Sequence, residues 1–126
     1  MKSIEIRAVV NYLHLSEPIR RPTERKSYYR LDVLVQKDDY GTLEQIVKAV
    51  WAMGVKLENT DLLKDGDEKG YPLYEGCYYF TAKRASDLRP MEVEGVPKDG
   101  APAWIHLKPL RALVRGLRVS PLVLRV

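Results

Sequence analysis

The sequence predicts an all-β domain carrying one helix, folded as a five-stranded Greek-key barrel. Three observations predict it. About five segments alternate apolar and polar residues at a period of two, as half-buried strands do. Only residues 39–53 show the longer period of an amphipathic helix convincingly. The chain has 126 residues, one domain by length, since domains cluster at roughly 100–150 residues. Hydrophobic residues at 45% and charged residues at 30% give the balance of a globular chain rather than a disordered one.

The elements follow in order. In residues 2–15, Ile4, Ile6, Ala8, Val10, Tyr12 and His14 share one face, and Glu5, Arg7, Val9, Asn11, Leu13 and Leu15 share the other. That is a long strand. Residues 16–26 hold Pro18, Pro22 and four basic side chains and read as a basic loop. Residues 27–36 form a second strand, with Tyr29, Leu31, Val33 and Val35 toward the core. Tyr28, Arg30, Asp32, Leu34 and Gln36 then lie on a wet outer face. The helix follows, with Asp38 or Asp39 as cap, Leu43, Ile46, Val47 and Val50 as the apolar stripe, and Gly54 as the stop. Trp51 beside that stripe is expected to pack on the sheet.

Residues 56–75 are loop-like, dense in turn formers from Asp65 to Pro72. Residues 75–84 make an aromatic strand, with Tyr78, Phe80 and Ala82 on one face and Cys77, Tyr79, Thr81 and Lys83 on the other. Residues 89–96 give a short fourth strand. Residues 100–126 are basic and allow two readings. One is a hairpin of Trp104–Leu107 and Leu122–Val126 turning at Arg115-Gly116. The other is a basic amphipathic helix over Leu110–Leu117. Pro109 and Pro121 argue against central strands there. Strands of this number with an inserted helix match the oligonucleotide-binding (OB) fold, the leading Greek-key barrel of this size.

Composition narrows the function. No run approaches the ~18–20 apolar residues of a membrane helix, and residues 1–7 lack the apolar stretch of a secretory signal. Cys77 is the only cysteine, so neither an intramolecular disulfide nor a cysteine-based zinc site is available. An intracellular, cytoplasmic protein is expected. Net charge is +4 with a pI near 9.2, and it is unevenly spread. Residues 1–37 carry +4, residues 38–81 carry −5, and residues 82–126 carry +5. If the two basic ends meet, they form one face suited to a polyanion; an ordinary solvated surface is the alternative.

Catalytic patterns are poor. His14 and His106 are the only histidines, and no nucleophile elbow, phosphate-binding loop or dinucleotide fingerprint occurs. Asp65, Asp67 and Glu68 lack the remaining calcium-loop ligands, since Lys69 and Gly76 occupy two of those positions. No metal, cofactor or enzymatic activity is expected. The positive signal is the interleaving of aromatics and cations. Tyr28 precedes Arg30, and Tyr79 precedes Lys83 on one strand face, with Arg84 and Arg89 close behind. Flat rings stack on unpaired bases and cations track phosphates, which is the chemistry of single-strand binding.

Four blocks, in order, resemble a group of bacteriophage single-stranded DNA-binding proteins. They are Ala8-Val9-Val10-Asn11-Tyr12-Leu13-His14-Leu15-Ser16-Glu17-Pro18, Tyr29 to Asp39 closing in Lys-Asp-Asp, Leu63-Lys64-Asp65-Gly66-Asp67, and Tyr74-Glu75-Gly76 running to Ala82-Lys83, followed by an Arg89-Pro90 step. The resemblance covers residues 8 to about 94. It implies an OB-fold protein that coats single-stranded DNA in viral replication or recombination. Ser16 stands where the family often has an aromatic, residues 100–126 do not align, and the chain ends Leu124-Arg125-Val126 without the acidic tail common in such proteins.

The expected function is therefore sequence-tolerant binding of single-stranded DNA, with replication or recombination proteins as further partners. Tyr28, Arg30, Tyr79, Lys83, Arg84 and Arg89 are the leading contacts, Tyr12 and Trp104 second-tier stacking residues, and residues 108–126 a source of extra phosphate contacts. Three alternatives stay open: an RNA-binding OB domain, an interaction module whose basic ends meet an acidic protein, and a carboxylate nuclease. Monomer and homodimer both fit the sequence.

Overall fold

The computed structural model describes residues 3–88, 92–95, 97–112 and 116–126. Strand β1 (Ile4–Ile19) and strand β2 (Tyr28–Gln36) pair antiparallel, with Val10 opposite Val33 and Asn11 opposite Asp32. Ile6, Ala8 and Val10 of β1 and Leu31, Val33 and Val35 of β2 are buried, as the period-two pattern requires when one face is covered.

Past Asn11 the register slips. His14 faces Arg30, so β1 carries one more residue than β2. Tyr12 absorbs the extra residue with φ +54°, a left-handed conformation costing a non-glycine residue about 1–2 kcal/mol. A bulge of this kind inverts the alternation beyond it. Sequence alternation put Tyr12 and His14 on the same face as Ile6, Ala8 and Val10; past the bulge Leu13 and Leu15 pack against the core instead and Tyr12 is exposed. The strand also continues through Ser16–Ile19, shortening the basic loop to residues 20–27.

Helix α1 (Tyr40–Trp51) is capped by Asp39, whose carboxylate accepts the Thr42 N–H at 3.2 Å. It stops at Gly54, which adopts φ +78° and donates its N–H to the Trp51 carbonyl at 2.8 Å. Ile46 and Val50 enter the barrel core. Trp51 does not pack on the sheet as expected; it is 61% exposed. With Val47, Leu43, Leu57, Leu63 and Tyr78 it lines an open apolar cleft of about 640 Å³.

A two-residue strand β3 (Lys64–Asp65) joins the edge of β4 (Cys77–Ala85). β4 pairs with β2 over its whole length without a slip, from Tyr28–Ala85 to Gln36–Cys77. Strand β5 (Glu92–Glu94) runs beside β7. β6 (Ala101–Ala112) pairs with β1 and turns back into β7 (Gly116–Arg125). β7 meets β4 in parallel at Val119–Ala82. That contact closes a five-stranded barrel in the order β4-β2-β1-β6-β7. The expected fourth strand, as far as it is described, is thus an edge addition and not a stave.

The C-terminal hairpin overturns the helix reading of Leu110–Leu117: Leu110–Ala112 and Gly116–Leu117 are strand. Arg115 of the expected turn lies outside the described residues. The prolines sit where a missing N–H costs least. Pro109 lies past Leu107, where the described pairing of β1 with β6 ends. Pro121 borders a slip in which His106 faces Val123 and Leu107 faces Pro121.

Candidate nucleic-acid interface

The β2–β4 register places Tyr28, Arg30, Asp32 and Leu34 opposite Ala85, Lys83, Thr81 and Tyr79. By strand parity all of them point away from the core. Sequence reading expects this face to be wet. The structure corrects that: Arg30, Asp32 and Leu34 are 1%, 4% and 3% exposed. Two loops cover them.

The first covering is the segment from Lys64 to Gly76. Lys37 bonds Asp65 at 2.8 Å and Asp67 at 2.7 Å, and Asp67 also accepts the Gly76 N–H at 2.7 Å. Lys37 beside Asp65 holds that carboxyl below its ordinary value. At Asp67 the Gly76 N–H and then Lys37 do the same. Gly66 permits the fold of this loop, because a Cβ there would stand 2.1 Å from the Tyr74 carbonyl oxygen and 2.6 Å from that of Cys77. The knot presses the helical turn Pro72–Tyr74 onto the sheet. Buried Tyr74 donates its hydroxyl to Asp32 at 2.6 Å and accepts from Asn11 at 3.1 Å, while Thr81 donates to the other Asp32 oxygen at 2.8 Å. Burial, above all, pushes the Tyr74 phenol well above its ordinary pKa, so it stays a donor.

The second covering is the β1–β2 loop. Glu24 reaches inward and pairs with Arg30 and, at 3.0 Å, with Lys83. Burial opposes ionisation of Glu24, but the Arg21 N–H, Arg30 and Lys83 outweigh it and hold the carboxyl below its ordinary value.

Between the two coverings lies a groove of about 570 Å³. Tyr12, Tyr71 and Tyr79 line it with Arg21, Lys64 and Lys69. The Lys69 ammonium lies 5.2, 5.5 and 5.8 Å from the ring centres of Tyr79, Tyr74 and Tyr71. Tyr74 meets Tyr79 edge-on at 5.1 Å. Arg21 stands 5.9 Å from the Tyr12 ring. Cations at these distances from ring centres are held by the ring quadrupoles.

The architecture has solved counterparts. A single-stranded DNA-binding protein from bacteriophage Enc34, in complex with single-stranded DNA, superposes with a TM-score of 0.77 at 16% identity, over 98% of this chain and 84% of that one. A C-terminally truncated form of the same phage protein gives 0.76 at 16% identity, over 98% and 83%. Gp2.5, the single-stranded DNA-binding protein of bacteriophage T7, gives 0.58 at 12% identity, over 99% and 86%. The chain shares the OB-barrel fold of these phage proteins. No family model matches the sequence, and no curated protein matches it by sequence. At these identities the likeness is one of fold, and the OB barrel predicted from strand pattern is the fold observed.

On this OB barrel the residues singled out from sequence separate. Tyr79 and Tyr12 line the groove. Tyr28 and Lys83 stand at the other end of the β2–β4 face, with the ammonium 5.1 Å from the ring centre. Arg30 lies 5.8 Å from the same ring, but it is covered rather than exposed. Arg84 has the opposite parity, across from Tyr29. Arg89 lies outside the described residues. Trp104 is on the outer face of β6, opposite Arg7, in a hollow shared with Glu5, Glu92 and Glu94. Of the C-terminal cations, Arg111 donates to the Met53 carbonyl at 2.8 Å and Arg125 pairs with Glu5. Sequence reasoning missed Lys64, Lys69, Tyr71 and Arg21, which it took as loop residues. The available signal was the tyrosine pair three residues apart, Tyr71 and Tyr74, just after Lys69.

Among the described residues, no helix is long and apolar enough to cross a membrane.

Proposed function

We propose that the protein binds single-stranded DNA with little sequence preference, the strand lying across the outer face of β2 and β4. The observation that carries this reading is the groove in which Lys69 sits among Tyr71, Tyr74 and Tyr79. Exposed rings stack on unpaired bases, each stack contributing about 1–3 kcal/mol, and the cations around them neutralise phosphates. The Enc34 neighbour, solved with single-stranded DNA, supports the same ligand for this barrel.

Tyr28 stands six residues along β2 from Leu34, the partner of Tyr79. At the rise of a strand that is about 20 Å, room for several nucleotides and in keeping with the ~4–16 nucleotides an OB fold covers. Tyr79, Tyr28, Tyr71 and Tyr12 are the stacking residues. Lys83, Lys69, Lys64 and Arg21 are the phosphate contacts. Arg30 positions the β1–β2 loop. The protein acts by binding and not by catalysis, and its setting is viral DNA replication or recombination.

Titration with short oligo-dT, followed by intrinsic fluorescence, tests this. Quenching is expected with single strands and not with duplex, without strand cleavage in Mg²⁺. Its logarithmic salt slope should be about −0.7 per neutralised phosphate. Absence of quenching at low salt contradicts the reading, tighter binding to RNA redirects it, and cleavage in Mg²⁺ replaces it with a nuclease.

A further inference from the structure

Glu24 has the surroundings of a bound phosphate. One carboxylate oxygen accepts from the Arg30 guanidinium and from the Arg21 N–H, the latter at 2.9 Å. The other accepts from the Lys83 ammonium at 3.0 Å. Both cations lie beside one ring, Tyr28, at 5.8 and 5.1 Å. Two cations, a backbone donor and an aromatic ring thus converge on one anion with two acceptor oxygens. A phosphodiester presents a comparable pair of oxygens. The buried Nε of Arg30 has no hydrogen-bond partner, so Glu24 leaves part of this donor set unused. Thr23 and Arg25, on either side of Glu24, are exposed, which makes the carboxylate the inward anchor of the loop.

We infer that Glu24 is an internal competitor for the nucleic acid. The β1–β2 loop seats its carboxylate in a phosphate subsite formed by Lys83 beside Tyr28 with Arg30 behind, and an incoming strand binds there by displacing Glu24 from Lys83. This rests on the single-stranded DNA reading and adds a device that regulates it. Each strand bound must break an ion pair first, so affinity is held below what the cations alone would give.

The test compares oligo-dT binding by the parent protein and by Glu24→Gln, Lys83→Gln and the double variant at several salt concentrations. Removing the competing charge should tighten binding roughly fivefold at low salt and steepen the salt slope by about 0.7. Lys83→Gln should cost more in the Glu24→Gln background than in the parent. Unchanged or weaker binding by a Glu24→Gln protein that is folded at the assay temperature would overturn the inference, as would an equal cost of Lys83→Gln in both backgrounds. If Glu24→Gln fails to fold, the Glu24 carboxyl ¹³C signal of the parent decides. It should move when oligo-dT saturates the protein, and a stationary signal overturns the inference. Binding by Glu24→Gln alone supports it. Failure of both parent and variant to bind any single strand removes the DNA reading itself, and the inference with it.

Discussion

The hydroxyl of Tyr74 donates to the buried carboxylate of Asp32 at 2.6 Å, and this bond ties the loop ahead of β4 to the outer face of the barrel. Tyr74→Phe keeps the ring but leaves Asp32 with Thr81 as its remaining side-chain donor among the described residues. A buried acceptor deprived of a partner costs about 1–3 kcal/mol. Urea unfolding should show that loss as a lower midpoint at an unchanged slope. Because that bond holds the turn next to Tyr71 against the sheet, affinity for oligo-dT should fall as well.

Gly66 is needed for its missing side chain. A methyl group there meets two carbonyl oxygens, of Tyr74 and Cys77, at far below contact distance. Backbone cannot give way as a flexible side chain does, so Gly66→Ala should cost about 3 kcal/mol, the upper range of overpacking. A melting temperature within a degree of the parent's would show that the loop does not pack as described.

Acid should weaken the fold through named carboxylates. Glu24, Asp65 and Asp67 all have folded-state pKa values below their ordinary ones. The stability each contributes is therefore present above its unfolded value and is lost as pH falls through the folded one. Chemical denaturation between about pH 5 and pH 3 should show falling stability. Glu24→Gln should flatten part of that fall, because the variant has no proton to take up there. A variant profile parallel to the parent's would remove Glu24 from the account.

Stacking and charge should separate by residue. Tyr79→Ala and Tyr71→Ala should each weaken oligo-dT binding by about 1–3 kcal/mol. Lys69→Gln should also lower the salt slope by about 0.7. Trp104→Ala should change affinity little, since Trp104 lines a hollow with Glu5, Glu92, Glu94, His106 and Arg125 and not the groove lined by Tyr12 and Tyr79. Deleting residues 108–126 cannot probe the basic C-terminus, because the deletion removes β7, a stave of the barrel.

Much of the fold was legible in the sequence because its signals are local. Period-two alternation located β1, β2 and β4, and the Asp39 cap and Gly54 stop bounded α1. The bulge at Tyr12 was not legible, since one inserted residue inverts alternation without changing composition. The ends of β6 and β7 were obscured by prolines that only the three-dimensional neighbours make tolerable. In the candidate site, Tyr28, Tyr79 and Lys83 were readable from strand parity. Arg30 shows the limit of parity, which gives the direction of a side chain but not what covers it. Glu24, Lys69 and Tyr71 reach the site on loops, where no period marks them.

The central claim is that a single strand lies across β2 and β4 between the two covering loops. Photocrosslinking with oligonucleotides carrying 5-iododeoxyuridine, followed by mass spectrometric mapping, locates the strand directly. Crosslinks concentrated at Tyr71, Tyr79, Tyr12 and Tyr28 are predicted. Crosslinks concentrated at Trp104, or at Trp51 on the helix, would place the nucleic acid elsewhere and contradict the account.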